Sequence, residues 1–129
     1  MIEPRWLTLV HILAIHSDQI RAHGGSLGLR DRGLLESALD RPRNRLRYEP
    51  DSDLPALAAA YGFGLANNHP FIDGNKRVAF QSTYLFLGLN GFRIEALEEE
   101  VVDVVLSLAS GEVDESGLAD WLREHITPR

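Results

Sequence analysis

Apolar residues recur at helical spacing along most of the chain, and short breaks that contain Gly, Pro or Asn separate the periodic segments. No run alternates β-branched and polar residues as a half-buried strand does. Residues 8–23 carry a broad apolar face that ends at Gly24. Asp31 is placed to cap the next helix, which Arg41 and Pro42 are expected to end. The pattern predicts an all-α protein.

Later segments predict four more helices. Asp53 and Pro55 form a favourable first turn for a helix that continues to Asn67. Residues 78–89 are apolar on every side, which is typical of a central, buried helix, and Asn90 ends it. The two remaining patterns are amphipathic and lie at residues 97–111 and 118–126. We expect a compact single domain over residues 1–129, with about six helices around a central buried helix.

Composition and charge narrow the class of protein. The chain has 129 residues, with 13 basic and 19 acidic side chains and a formal net charge of -6. This balance argues against a protein that binds nucleic acid directly and favours a basic partner surface. The lack of cysteine excludes disulfides and thiolate chemistry. The sequence shows neither a signal-peptide pattern nor the roughly 20 apolar residues of a membrane span, so we expect a cytoplasmic protein without a membrane partner.

Residues 69–77 read HPFIDGNKR, and they combine an imidazole, a carboxylate, a turn and two cations. Because an apolar helix follows directly, Gly74 and Asn75 lie where backbone N–H groups open at a helix N-terminus, which is an anion site. Lys76 and Arg77 fall in the first turn, where the helix dipole disfavours each cation by about 0.3 to 1 kcal/mol. A bound anion reverses that penalty, so the motif predicts a phosphate-binding loop.

A simpler interpretation is that the same residues only build the start of the helix. Asp73 or Asn75 would cap the helix, Gly74 would supply a positive φ, and the two cations would point into water. Capping accounts neither for the histidine that precedes the acid nor for two cations at the unfavourable end of a buried helix. Phosphate handling is therefore the favoured interpretation.

Each residue type in the motif suits one part of phosphoryl-transfer chemistry. His69 is the candidate general base, because an imidazole titrates close to neutral pH. Asp73 is the candidate Mg²⁺ ligand, since this ion typically takes one or two carboxylates together with substrate oxygens and water. Lys76 and Arg77 would neutralise charge on a transferring phosphoryl group and complete the candidate catalytic set. The candidate phosphate- or ATP-binding residues are Gly74, Asn75, Lys76 and Arg77.

The motif resembles the signature of the Fic/Doc superfamily, which reads His-Pro-Phe-x-x-Gly-Asn-Gly-Arg-x-x-Arg in the adenylylating Fic enzymes. HPFIDGNKRVAF departs from it at Lys76, where Fic enzymes have a glycine, and at Phe80, where they have the second arginine. Both departures match the death-on-curing (Doc) branch. The glycine-rich stretch from Gly24 is similar to Doc-type proteins as well, so the resemblance extends from the first helix to roughly Gly91.

The resemblance implies a toxin that uses Mg²⁺ and transfers the γ-phosphoryl group of ATP to a Ser or Thr hydroxyl of a protein. His69 matches the family's catalytic histidine, and Asp73 matches the acid that is tied to Mg²⁺. Lys76 is the residue that separates Doc-like kinases from adenylylating enzymes. Elongation factor Tu is the target of the prototype, so arrest of translation is the implied outcome.

Regulation by a partner is also implied by the resemblance. A cognate antitoxin inhibits Doc-like toxins in trans, by folding its C-terminal segment on the toxin. Self-inhibiting Fic proteins carry Ser or Thr, three residues, then Glu and Gly or Asn, and no stretch of this sequence has that pattern. Two alternatives stay open: an adenylylating Fic enzyme, against which Lys76 and Phe80 argue, and a catalytically silent interaction module with the same fold.

Several residues outside the chemistry of the motif receive structural interpretations. Phe71 is predicted to anchor the loop by burial. A basic cluster is predicted to be a solvated helix end, with a docking patch as the alternative; it consists of Arg41, Arg43, Arg45 and Arg47. Four histidines lack metal-ligand spacing, which argues against a zinc site; they are His11, His16, His23 and His125.

Overall fold

The computed structural model describes residues 3–129. This part of the chain contains six α-helices and two short strands. The helices are α1 (Leu9–His23), α2 (Arg32–Tyr48), α3 (Leu54–Asn68), α4 (Asn75–Leu89), α5 (Glu98–Ser110) and α6 (Glu115–His125). The strands are β1 (Phe92–Ile94) and β2 (Ile126–Pro128). The predicted all-α class is confirmed. None of the described helices is both long enough and apolar enough to cross a membrane.

Side chains cap the predicted helix starts. Oδ1 of Asp31 accepts a hydrogen bond from the Leu34 amide at 3.0 Å, and Oδ1 of Asp53 accepts one from the Ala56 amide at 2.9 Å. A cap of this kind contributes about 1 kcal/mol. Both caps agree with the sequence analysis, and they fix where α2 and α3 begin.

The predicted end of α2 at Arg41 and Pro42 is wrong, because the helix continues to Tyr48 with Pro42 inside it. An internal proline costs roughly 3 kcal/mol, since it lacks an N–H and crowds the preceding turn. Pro42 is buried, and ion pairs on both sides of it join α2 to α6. Nε of Arg41 lies 2.6 Å from Oε1 of Glu115, and Arg45 contacts the other oxygen. Tertiary contacts therefore outweigh the local preference, and two of the four arginines of the basic cluster are ion-paired with α6.

The buried helix at the centre of the fold is α3, and not the helix after the motif as the apolar pattern indicated. Small residues on all sides of α3 allow α2, α4 and α6 to pack against it; they include Ala56, Ala58, Ala59, Ala60, Gly62 and Gly64. A Cβ at Gly62 would lie 2.6 Å from Oγ1 of Thr83 on α4, so glycine permits this close approach. Helix α4 carries larger residues, and its outer face leaves Tyr84 exposed.

A two-stranded antiparallel sheet, which the apolar spacing did not predict, joins the chain after α4 to the chain after α6. Phe92 pairs with Pro128 and Ile94 pairs with Ile126. Strands of three residues are too short to show an alternating pattern, which is why helical spacing assigned Ile126 to the last helix. The sheet secures the C-terminal segment against the end of α4.

The N-terminal end of α5 is joined to the end of α6 by a histidine and a carboxylate. Nδ1 of His125 donates to the Trp121 carbonyl at 2.7 Å, and its Nε2 lies 3.0 Å from Oε2 of Glu100. The hydrogen bond to Trp121 raises the pKa of His125, and the contact with Glu100 adds to this increase against the effect of burial. Hydrogen bonds from the Leu97 amide and from His125 lower the pKa of Glu100. Both shifts favour the charged pair.

The substitution Glu100→Gln should weaken the dependence of stability on pH. Because the pKa of His125 is raised in the folded state, its contribution is complete below the unfolded value of 6.5 and is lost as the pH rises through the folded value. The glutamine oxygen still accepts the hydrogen bond from Leu97, while an uncharged NH2 group replaces the carboxylate oxygen that faces His125. Thermal unfolding between about pH 6 and pH 8 should show a larger fall in Tm for the wild type. Equal falls in both proteins would contradict this pairing.

Candidate active site

The motif loop, residues 69–74, connects α3 to α4 in a conformation that its own sequence does not favour. His69 ends α3 with φ 48° and ψ 55°, and it is the one non-glycine residue with a positive φ among the described residues 3–129. A left-handed conformation costs about 1 to 3 kcal/mol for such a residue and persists only where the surroundings enforce it. Phe71 is buried at 1% exposure, as predicted, and anchors the loop in the core.

Asn75 closes the loop through its side chain. Its Oδ1 accepts a hydrogen bond from the Phe71 amide at 3.0 Å, and its Nδ2 donates to the Phe71 carbonyl at 2.9 Å. The same Nδ2 lies 3.4 Å from Nδ1 of His69, which is the long limit of a hydrogen bond. Asn75 therefore binds the loop and touches the candidate base, but it does not cap α4.

The N-terminus of α4 is open. Gly74 is its N-cap residue, with φ 80°, and in the described part of the chain no side chain caps the amides that follow Gly74. The first N–H groups of a helix have no partner within the helix, so those of α4 are available to an anion. The capping interpretation is not what the structure shows, whereas the positive φ expected at Gly74 is confirmed.

The carboxylate of Asp73 is oriented by backbone amides on two sides. Its Oδ1 accepts from the Gly74 amide at 2.9 Å, and its Oδ2 accepts from the Ser26 amide at 3.2 Å. Each oxygen keeps a second lone pair, and the side chain is exposed. The carboxylate is thus fixed in direction and remains able to bind a cation.

Two residues far from the motif in sequence hold the loop, and the sequence analysis did not identify either of them. Nε2 of His16, on α1, lies 2.9 Å from the Asp73 carbonyl, and its ring stacks on Phe71 with centroids 3.9 Å apart. Because a carbonyl only accepts, Nε2 carries the proton. Arg30 donates to the carbonyls of Asn68 and His69. The sequence signals for these contacts were a histidine in the helical pattern of α1 and, for Arg30, its place in the glycine-rich stretch that resembles Doc-type proteins.

The segment before α2 adds backbone hydrogen bonds along the loop. The amides of Arg30 and Asp31 both donate to the Pro70 carbonyl, at 2.7 Å and 3.0 Å. The Ile72 amide donates to the Gly28 carbonyl at 3.1 Å, while the Ile72 side chain is exposed. The glycine-rich stretch therefore ends α1 and then supports the motif as a neighbouring strand would.

An open cleft of about 700 Å³ collects all six predicted site residues. Its polar floor consists of His69, Asp73, Gly74, Asn75, Lys76 and Arg77, and its apolar wall consists of Val101, Val102, Val105 and Leu106 on α5. Lys76 and Arg77 are exposed, and within residues 3–129 neither forms an ion pair. Asp73 is the one acidic residue among those that line this cleft. The floor is therefore cationic.

The side chains of the cleft suit a Mg²⁺ ion that arrives bound to a phosphate better than a metal ion coordinated only by the protein. No group of three His, Cys, Asp or Glu side chains in the described residues could hold a metal. Mg²⁺ needs only one or two carboxylates when phosphate oxygens and water complete its coordination, and Asp73 offers one. A base, a single carboxylate, two cations and an open helix end suit the handling of a phosphoryl group.

Comparisons with known proteins agree with this geometry. The sequence model of the Fic/DOC family matches residues 6–87, which include the motif and both segments that support it. The chain is 35% identical over 119 residues to the protein kinase doc of Escherichia phage P1, covering 92% of this chain and 94% of that protein. It is 44% identical over 78 residues to toxin Doc of Mycolicibacterium smegmatis, covering 58% of each.

The substitution Asn75→Asp should destabilise the fold by about 1 to 3 kcal/mol, because a carboxylate oxygen would replace the buried amide that donates to the Phe71 carbonyl. The two side chains have nearly the same shape, so packing is unchanged. Asn44→Asp is the matched control, since Asn44 is exposed and only accepts from Arg47; it should change stability by less than about 0.5 kcal/mol. Urea unfolding measures both. Similar losses in the two variants would show that Asn75 does not close the loop.

Proposed function

The chain belongs to the Fic/Doc family, in its death-on-curing (Doc) branch, and from this we propose that it is a Doc-like toxin that phosphorylates a protein. The observation that carries the proposal is the floor of the cleft, where His69 and Asp73 flank the open N-terminus of α4 beside two cations that have no acidic partner in residues 3–129. The name of the phage P1 relative supports a kinase, and that of the mycobacterial relative supports a toxin.

In the proposed reaction, a Ser or Thr hydroxyl of the target attacks the γ-phosphorus of ATP. A bond forms between the hydroxyl oxygen and that phosphorus, the bond to the β,γ-bridging oxygen breaks, and ADP leaves. His69 takes the hydroxyl proton. The backbone amides that follow Gly74 in the first turn of α4, together with the Lys76 and Arg77 side chains, bind the phosphate oxygens and stabilise the charge that spreads over them during transfer.

Asp73 is the residue that would hold Mg²⁺ in this proposal. When bound, the ion neutralises charge on the phosphate oxygens. The two amides that orient the Asp73 carboxylate keep it directed into the cleft, so its direction does not depend on the ligand. Asn75 supports the site because its side chain binds the loop at Phe71 and contacts the His69 ring.

Transfer of phosphate rather than of AMP is favoured by Lys76 and Phe80. These residues stand where adenylylating Fic enzymes have a glycine and an arginine. Both side chains line the cleft beside the helix end. Lys76 adds volume and a positive charge where those enzymes have a glycine, and Phe80 is apolar where they have an arginine. We extend the proposal to a target like elongation factor Tu, to arrest of translation in the cytoplasm, and to inhibition in trans by a cognate antitoxin.

Intact-mass spectrometry of elongation factor Tu, incubated with this protein, ATP and Mg²⁺, tests the reaction and the base together. We expect a gain of one phosphate that is absent with His69→Ala. Parallel reactions with γ-labelled and α-labelled ATP identify the group transferred. A gain of one AMP would replace the kinase proposal by adenylylation. If elongation factor Tu stays unmodified while expression of the protein still stops growth, the proposed target is wrong.

The substitution Lys76→Ala should lower the rate of phosphoryl transfer roughly 100-fold, because one charged donor to the transferring group is lost. Arg47→Ala is the matched control, since Arg47 is an exposed cation on α2 whose side chain hydrogen-bonds only to Asn44 among the described residues. Initial rates with labelled ATP measure the effect. Equal rates for Lys76→Ala and the control would remove Lys76 from the catalytic set.

A further inference from the structure

We propose that Arg30 is a positioning residue for His69, which it holds in the orientation needed for proton transfer by binding the backbone at the end of α3. This inference rests on the proposed function, because it assigns a task to the base of that reaction. Arg30 lies in the segment before α2, 39 positions away from His69 in sequence.

The guanidinium of Arg30 spans two consecutive carbonyls. Its Nε donates to the His69 carbonyl at 2.7 Å, and its Nη2 donates to the Asn68 carbonyl at 2.9 Å. The last carbonyls of a helix have no partner within the helix, and the C-terminal end of the dipole attracts a cation. The planar fork of arginine suits two adjacent acceptors, whereas a lysine ammonium is a single point.

His69 needs such a restraint for two reasons. Its φ of 48° is unfavourable for any residue with a Cβ. In addition, Pro70 follows it, and a residue before proline prefers an extended conformation. If His69 relaxed to that conformation, the direction of its Cα–Cβ bond would change and the imidazole would leave its place beside the helix end.

Other contacts of His69 are too weak to supply the restraint. Within residues 3–129, its ring has one hydrogen-bond partner, Asn75, at 3.4 Å, and Arg30 provides the only side-chain hydrogen bond to its backbone. Arg30 forms no ion pair with an acidic side chain of the described residues. Its N–H donors are directed to the two carbonyls. Because Arg30 is exposed, we expect its removal to change the orientation of His69 more than the free energy of unfolding.

The chain offers a matched control two positions further on. Arg32 is also exposed, but its side chain pairs with Glu36 one turn along α2 at 2.9 Å, and within the described residues it forms no hydrogen bond with the motif loop. We expect Arg30→Ala to lower kcat for target phosphorylation about 10- to 100-fold, with KM for ATP changed less than about twofold, because misplacement of a catalytic group acts on the chemical step. The kcat of Arg30→Lys should lie between those of the wild type and Arg30→Ala, and the kcat of Arg32→Ala should equal that of the wild type.

The second measurement does not depend on activity. The imidazole ¹H–¹⁵N NMR signals of His69, assigned by their loss in His69→Ala, should shift or broaden in Arg30→Ala and stay in place in Arg32→Ala. Circular dichroism at the assay temperature checks that each variant is folded.

The two measurements separate a failure of this inference from a failure of the proposed function. Unmoved His69 signals in folded Arg30→Ala, or an equal loss of activity in Arg30→Ala and Arg32→Ala, would overturn the positioning role. If Arg30→Ala does not fold, the same criterion applies to the His69 signals of Arg30→Lys. A wild-type protein that transfers no phosphate, yet whose His69 signals depend on Arg30, would refute the proposed function and leave the positioning of His69 by Arg30 standing.

Discussion

The open N-terminus of α4 is the feature on which the rest of this structure depends. The first N–H groups of a helix are commonly accepted by a side chain at the N-cap, yet Gly74 provides none. The loop that leads into α4 also contains two residues with a positive φ, His69 and Gly74. The local sequence therefore gives the first N–H groups of α4 no side-chain acceptor and places His69 in an unfavourable backbone conformation, so the surrounding structure has to stabilise the loop.

That stabilisation comes from the loop's interior face and from two remote segments. Phe71 is buried between the core and the His16 ring, and the Asn75 side chain satisfies both the amide and the carbonyl of Phe71. From the other side, the segment before α2 satisfies the carbonyls of Asn68, His69 and Pro70. The reactive side chains are exposed, whereas the groups that hold their backbone are buried or hydrogen-bonded. A rigid frame of this kind allows polar side chains to face solvent without losing their relative positions.

What the sequence predicted well is what depends on neighbours along the chain. The caps at Asp31 and Asp53, the positive φ at Gly74 and the helix that follows the motif are set by nearby residues. The continuation of α2 through Pro42 was missed because its support comes from Glu115, far along the chain. The contacts of His16 and Arg30 with the loop span 57 and 39 positions, and neither residue has a distinctive local pattern. Clustering of the six motif residues was predictable because they lie within one stretch of nine residues, 69–77, whereas the partners that orient them were not predictable.

The charge of the chain and the charge of the cleft have opposite signs, and the physical reason is distance. The formal net charge is -6, yet the cleft floor combines the positive end of the α4 dipole with Lys76 and Arg77 against the single carboxylate of Asp73. Salt screens exposed charges beyond about 8 Å at physiological ionic strength, so acidic side chains on other surfaces do little to offset the local field. Net charge governs the long-range encounter with a partner, and an acidic surface favours encounters with basic proteins. The groups that would bind a phosphate act within the first few ångströms, and for that reason an acidic protein can still present an anion site.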